Sequence, residues 1–243
     1  PIFIGFILPI IELSLWAFET NVDIFNNKFL VGSFNTITLG LFTGLICALL
    51  AIVINFSIRF TKNKFLERLN SLMSIGYAIP GLILAVGITR FLVFSDQNVF
   101  TNINFVITGS LVGLFLAYII KSYALANSSI ESGYERISNS IDNSAQLLGS
   151  SGGKLLGRIH FPLMRTSFLT AVLLVTSEVV KELPATLILR PFNFDTLAVI
   201  TYTYAAEERM YQAAMPSLAI VIIGIIPIIF LTKMIRSSRI KDS

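Results

Sequence analysis

Apolar residues in this chain come in long blocks separated by shorter polar stretches. Six blocks have the length of a bilayer-crossing helix: 2–18, 34–58, 72–94, 103–120, 162–180 and 213–231. A hydrocarbon core of about 30 Å takes roughly 20 residues of helix, so the first and fourth are short but adequate. Residues 183–204 are moderately apolar, yet they include Pro184, Arg190, Pro191 and Asp195. Those residues suit a span poorly, and the segment is expected to form a structured loop. The pattern predicts an all-α membrane protein with six transmembrane helices in a single transmembrane domain over residues 1–243.

The polar stretches alternate in charge. Arg59, Lys62, Lys64 and Arg68 fall in the second connection, and Lys121, Arg136, Lys154 and Arg158 in the fourth, with Arg165 just beyond. Lys233, Arg236, Arg239 and Lys241 mark the tail. The other connections hold fewer basic residues (Lys28, Arg90, Lys181, Arg190, Arg209) and most of the acids: Glu19, Asp23, Asp96, Glu182, Asp195, Glu207 and Glu208. Lys and Arg are retained on the cytoplasmic side, so both termini are expected there.

Composition agrees. Hydrophobic residues make up 54% and charged residues 13% of 243, where soluble domains carry about 25% charged. The net charge of +4 is explained by the loops, and no nucleic-acid partner is expected. Cys47 is the single cysteine, which rules out an intrachain disulfide or a thiolate cluster and reads as a small packing residue. Glu12, in the first block, reads as a buried polar contact. The chain starts on Pro1 in apolar sequence with no basic stretch before it. It does not read as a signal peptide, and an upstream portion is expected.

Within the third block, Tyr77-Ala-Ile-Pro80-Gly81 interrupts the apolar run. Proline removes a backbone donor and clashes with the preceding turn. In lipid such a break survives where protein or a water-filled cavity satisfies the freed groups. Two readings stand: a packing kink, or a kink lining a translocation path, which would make Tyr77 and Pro80 gate residues.

The connection at 121–161 is about forty residues long and mostly polar, a length that usually serves a function. Ser138 or Ser140 can cap a helix start. Asp142 then falls in the first turn, where the helix dipole favours an anion. Ile141, Ala145 and Leu148 share a face by their spacing, and Gly149 can take the left-handed conformation that ends a helix. A short amphipathic helix over 138–149 is expected, then a turn at 150–153 and a second piece leading to Pro162. An interfacial helix lying on lipid is the competing reading, against which stands the lack of a basic face and bulky aromatics. His160, the single histidine, reads as an interfacial residue at the loop's end.

The stretch Asp142-Asn-Ser-Ala-Gln-Leu-Leu-Gly149, followed by Ile159-His-Phe-Pro162, resembles the coupling loop of ABC importer permeases. That loop has a Glu-Ala-Ala core, a Gly four residues after the second Ala, and a later Ile-x-x-Pro or Ile-x-Leu-Pro. Ala145, Gly149, Ile159 and Pro162 fall in register, while Asn143 and Ser144 stand in place of the Glu and first Ala. The resemblance implies a type I ABC importer permease fold. It also implies that Asp142, Asn143, Ser144, Ala145, Leu148, Gly149, Ile159 and Pro162 engage a separate ATP-binding cassette ATPase. Gly152-Gly-Lys154 superficially looks like the end of a phosphate-binding loop. It lacks the upstream Gly, the following Ser or Thr and a preceding strand. No ATP site, cofactor or resident metal is therefore expected on this chain.

The segment Lys181-Glu-Leu-Pro-Ala-Thr-Leu-Ile-Leu-Arg-Pro-Phe-Asn-Phe-Asp-Thr-Leu-Ala198 resembles its counterpart in ferric-iron permeases. So do Ser74-Ile-Gly-Tyr-Ala-Ile-Pro-Gly81, Ala205-Ala-Glu-Glu-Arg209 and the last block. The likeness is to the C-terminal half of permeases that join two six-span halves. It implies a bacterial inner-membrane, multi-pass transport subunit with an ATPase, a solute-binding protein, a second permease half and the lipid bilayer as partners. Related permeases move thiamine, polyamines or phosphonates. Glu178, Lys181, Glu182 and Pro184 are candidates for the translocation path or gate, since ionisable groups in spans default to function. An intrahelix Glu178–Lys181 pair, the lining of the exit from a binding protein, and direct ferric coordination are the open readings. Arg190, Glu207, Glu208 and Arg209 are candidates for binding-protein contact, with a plain solvated loop as the alternative. An ion-coupled carrier would need mid-span acids and an internal repeat. A membrane enzyme would need a nucleophile or metal constellation, for which one His and one Cys leave no material.

Overall fold

The computed structural model describes residues 2–19, 26–99 and 106–241, with side chains 231 and 234–241 excluded. Asp23 and Ile103 therefore lie outside the described residues. The described chain is helical without strands. In order, a π turn Phe3–Ile7 leads into α1 (Leu8–Glu19), followed by α2 (Asn27–Thr61) and α3 (Lys64–Ser74). A 3-10 turn Ile75–Ala78 precedes α4 (Gly81–Asn98), then come α5 (Leu111–Glu135), α6 (Asn139–Leu147) and α7 (Gly152–Leu155). A π turn Leu156–His160 joins α7 to α8 (Phe161–Val180), and α9 (Pro184–Leu189), α10 (Leu197–Ala206) and α11 (Met210–Lys241) complete the chain.

Helices dominate because lipid offers no partner for backbone N–H and C=O groups. Among the described residues four helical runs are long and apolar enough to cross: Asn27–Thr61, Leu111–Glu135, Gly152–Val180 and Met210–Phe230. Lys64–Ala78 with Gly81–Asn98 makes a fifth if that pair, bent by 117°, counts as one span. This differs from the expected six. The first block yields an α-helix of only 12 residues behind its π turn. The third block breaks at Pro80, whose missing N–H cannot continue the turn below it. Glu12 is exposed, not buried as expected.

Helices α2, α5 and α8 pack on one another and form the centre, with Leu39, Ala48, Ala117, Ile130, Ala171 and Val175 in the contact. Cys47 is fully buried among them, as a packing residue should be. Helices in lipid associate through close backbone approach and side-chain hydrogen bonds more than through apolar burial. Both devices are present. A Cβ on Gly44 would stand 2.7 Å from the Val172 carbonyl, so α2 and α8 meet backbone to backbone there. Thr176 Oγ1 donates to the Gly40 carbonyl at 3.2 Å, and Asn55 Nδ2 donates to Asn127 Oδ1 at 2.8 Å. Helices α1 and α11 pack beside this centre, with Trp16 and Tyr211 rings 5.9 Å apart.

Residues 183–204 are more ordered than the expected loop, holding α9 and the apolar α10. Pro184 starts α9, where its missing N–H costs nothing. Arg190 pairs with Asp195 between the two helices. Asn35 Nδ2 donates to the Asp195 carbonyl at 2.9 Å, and the Leu197 N–H donates to Thr36 Oγ1 at 2.8 Å, which ties the segment to α2. The connection at 121–161 is shorter than its polar composition indicated. Helix α5 continues to Glu135, and the run into α8 already begins at Gly152. Polar side chains extend α5 because they face protein: Ser122 and Asn127 are buried.

Gly44→Leu tests this packing. The added side chain is expected to cost about 1–3 kcal/mol through overpacking, read as a lowered midpoint in detergent unfolding, while Gly87→Leu, beside open space, leaves the midpoint unchanged.

Candidate functional site

The short helix α6 is anchored by one carboxylate. Asp142 sits in its first turn and is buried. Arg59 Nε, from the last turn of α2, donates to Asp142 Oδ2 at 2.7 Å. His160 Nε2 donates to Asp142 Oδ1 at 2.8 Å. The same guanidinium donates to the carbonyls of Tyr134 at 2.9 Å and Ile137 at 2.6 Å. It also lies 6.0 Å over the Tyr134 ring. Arg59 thereby satisfies carbonyls freed at the end of α5 while holding the start of α6.

His160 is fully buried, not interfacial as expected. Its ring is enclosed by Phe56, Phe60 and Tyr134, with centroids 5.5–5.8 Å away. Local geometry accounts for its inward position. The helix widens into the π turn Leu156–His160 just before Pro162, whose ring has no N–H for the regular ladder.

The ends of α6 only partly match expectation. Ser138 occupies the N-cap position, but its hydroxyl caps nothing and pairs with Ser140 Oγ at 2.7 Å. Gly149 has φ +80°, and the Gly149 and Ser150 N–H groups donate to the Gln146 and Ala145 carbonyls, both at 2.9 Å. That is the left-handed helix stop expected of this glycine. The face predicted for Ile141, Ala145 and Leu148 is not a single buried face. Ala145 turns inward beside Asp142, whereas Ile141 is exposed and Leu148, already past the last turn, is 86% exposed. Asn143, Ser144 and Gly149 are exposed, as is Leu147 at 89%. Ile159 is half-buried and Pro162 exposed. The helix is thus fixed on its Asp142 side and presents two leucines beside a glycine turn on the other.

A second cluster forms where the third block breaks. Glu182, 6% exposed, pairs with Lys121 of α5. Its other oxygen accepts the Ala185 N–H at 3.2 Å. A Cβ on Gly81 would lie 2.8 Å from Glu182 Oε1, 3.3 Å from Pro184 Cβ and 3.5 Å from Lys121 Nζ. Tyr118 and Thr186 share a hydrogen bond of 2.6 Å one helical turn away on α5 and α9. Pro80, Glu182 and Pro184 are therefore neighbours at the break. Tyr77 is exposed in the 3-10 turn before it.

Glu178 and Lys181 stand apart from this cluster as an i,i+3 pair at 2.9 Å, with Lys181 mostly exposed. Arg190 is held by Asp195, away from Arg209. Arg209 pairs with Glu207 at 3.1 Å and stacks 4.8 Å over the Tyr204 ring, and Glu208 takes φ +61° at the turn. Sequence reasoning missed Arg59, His160 and Lys121 as site members. Arg59 and Lys121 had served only as orientation signals. Both stand at the edge of an apolar block, where a basic residue marks orientation whether or not it has a partner, so the sequence offered no signal for their pairing.

No protein-family model matches the chain. Over 238 residues it is 24% identical to the Fe(3+)-transport system permease protein FbpB 2 of Haemophilus influenzae, an alignment covering 93% of this chain and 44% of that protein. The chain thus spans less than half the length of that relative. Over 190 residues it is 26% identical to a putative 2-aminoethylphosphonate transport system permease protein, PhnV, of Salmonella typhimurium, covering 78% of this chain and 68% of that one. Its fold matches the MetNI methionine ABC transporter in an inward-facing conformation, with TM-score 0.62, 13% identity, and coverage of 85% of this chain and 95% of the other. In sequence and in fold, then, the chain is similar to ABC importer permeases, the ferric-iron group included.

Removing one partner of a buried ion pair strands the other. Asp142→Ala is expected to cost about 3 kcal/mol, measured by unfolding in detergent. Arg59→Met combined with Asp142→Leu should recover more than half of that loss. Additive costs in the double variant would show that the two residues do not act as a pair.

Proposed function

We propose that this chain is the transmembrane permease part of an ATP-driven importer and that it moves ferric iron delivered by a solute-binding protein. The observation that carries the reading is helix α6. It is a short helix pinned through Asp142 to α2 and α8, with Leu147 and Leu148 exposed beside the Gly149 stop. Two large apolar side chains on an otherwise polar loop suit a pocket on another protein. The expected occupant is an ATP-binding cassette ATPase, with Asn143, Ser144, Ile159 and Pro162 around the contact. The basic connections that flank α6 support a cytoplasmic location for it and for both termini. The importer relatives support the ATPase and the binding protein as partners, and the short span relative to FbpB 2 supports a second permease half.

The chain itself hydrolyses nothing in this reading. Binding of ATP by the partners draws the coupling helices together, and the path alternates between outward and inward openings. Such a shift requires the partner to bind the two states unequally. Pro80, Glu182 and Pro184, clustered at the break, line the path, with Tyr77 in the turn before them, and the separate Glu178–Lys181 pair stands farther along it. Arg190, Glu207, Glu208 and Arg209 meet the binding protein. A second substrate reading, a phosphonate, is favoured by the PhnV likeness, which covers more of that relative than of FbpB 2.

Leu147→Asp with Leu148→Asp, in the complete transporter, is expected to reduce ATP-driven uptake at least about tenfold by removing the docking contact. Membrane insertion should be normal. Gly149→Val should act in the same direction, because a β-branched residue disfavours φ +80°. Uptake of labelled ferric iron that continues without any ATPase would exclude the importer reading. Uptake of a phosphonate in preference to iron would replace the substrate and keep the class.

A further inference from the structure

Helix α3 is not collinear with α4. The two are bent by 117°, so α3 lies steeply inclined to any axis along which α4 spans. Its residues divide into three sectors. At 100° per residue, Phe65, Leu69 and Leu72 fall within about 60° of arc, Lys64, Glu67, Arg68 and Ser71 within about 100°, and Leu66, Asn70 and Ser74 within about 80°. The sector centres are about 120° apart.

Burial assigns the three sectors to different surroundings. Asn70 is buried and accepts a hydrogen bond from Tyr123 Oη of α5 at 2.6 Å, with Leu66 and Ser74 half-buried on either side. That sector faces the protein. Phe65 is 67% exposed and Leu72 64% exposed. The remaining sector is exposed and polar. Lys62, Lys64 and Arg68 stand against one acid, Glu67. Lys62 is fixed at the turn before α3 by its left-handed backbone (φ 49°), and Asn63 caps the helix through the Phe65 N–H at 2.9 Å. Beside the C-terminal end of α3 an apolar cleft of about 180 Å³ is lined by Leu72, Met73, Ile75, Ile79, Ile119 and Ile120.

We propose that α3 lies in the membrane surface and forms a binding site for an acidic phospholipid. Lys62, Lys64 and Arg68 take the headgroup, and Phe65, Leu69 and Leu72 lie among the acyl chains, with the cleft beside Leu72 receiving one of them. The charge supports this occupant, because basic residues at the interface attract anionic headgroups. An apolar stripe flanked by water and by protein is the arrangement of an in-plane helix. The proposal rests on the permease reading only in that the chain spans a membrane.

The test uses the complete transporter in phosphatidylcholine vesicles that carry a fixed minor fraction of brominated lipid. Trp16 is the single tryptophan of this chain, so Trp16→Phe gives a reference transporter whose remaining emission, from the partner subunits, is subtracted. In it, the fluorescence of the Phe65→Trp variant should be quenched by brominated phosphatidylglycerol about threefold more than by the same fraction of brominated phosphatidylcholine. Adding Lys62→Gln, Lys64→Gln and Arg68→Gln should equalise the two lipids while leaving the introduced indole within reach of both. Glu67→Trp, on the polar sector, should instead be quenched by aqueous acrylamide. Equal quenching by the two lipids in the variant with its basic residues intact would overturn the headgroup site. Quenching of the Phe65→Trp variant by neither lipid would overturn the membrane placement and put protein over that face. Uptake measured in the same vesicles separates the two readings: absence of ATP-driven uptake by the unsubstituted transporter, with the quenching pattern of the variants intact, counts against the importer alone.

Discussion

The carboxylate of Asp142 has two oxygens, and each holds a different part of the bundle. One takes the guanidinium that ends α2, and the other takes the imidazole that leads into α8. An isolated helix of nine residues has no stability of its own in water. Few of its side chains are buried, with Ala145 and Asp142 the inward ones. Its position is therefore set by this polar contact more than by apolar packing. Arg59 binds carbonyls at the end of α5 at the same time. Four elements, α2, α5, α6 and α8, consequently meet at one acid.

What lies at the other end of α8 follows from helix geometry. The helical run Gly152–Val180 has 29 residues, or about 43 Å at 1.5 Å per residue. It carries His160 near one end and is followed directly by the buried Glu182 near the other. Between them it is locked to α2 by the close approach at Gly44 and by Thr176. A packed interior transmits displacement instead of absorbing it. On the proposed function, motion imposed on α6 passes through Asp142 into α8 and arrives at the Lys121–Glu182 pair as movement of a rigid rod.

Much of this was legible in the sequence, and the limits have physical causes. Block length and apolarity place α2, α8 and α11 well, because a bilayer demands a fixed span of helix. Pro80 marks its break, and Gly149 its turn. The extent of α5 was not legible, since Lys121, Ser122 and Asn127 look like loop residues until their partners, Glu182 and Asn55 among them, are placed beside them. The Asp142–Arg59 and Lys121–Glu182 pairs join residues 83 and 61 positions apart, and no local pattern encodes such pairings. Helix α6 was foreseen, but its orientation was not. Spacing identifies which residues share a face, whereas the anchor at Asp142 decides which face turns inward. Residues 183–204 look too polar for a span because Arg190 and Asp195 are charged. Once each neutralises the other, the apolar remainder packs as α9 and α10.

The Lys121–Glu182 pair has a property that suits the place it occupies. While the surroundings are dry, separating the two charges exposes each to a low-dielectric interior, and the cost is several kcal/mol per ion. Contact with Gly81 keeps the broken third block against the pair in that state. If water enters, hydration replaces the mutual attraction and the same separation becomes cheap, since the interaction falls with rising dielectric. The paired arrangement is thus stable only as long as it is dry. On the proposed function, this makes wetting and parting a single event: α8 need only open the pair far enough to admit water, and solvation completes the separation. Two apolar side chains at this point would behave in the opposite way, closing more firmly whenever water approached.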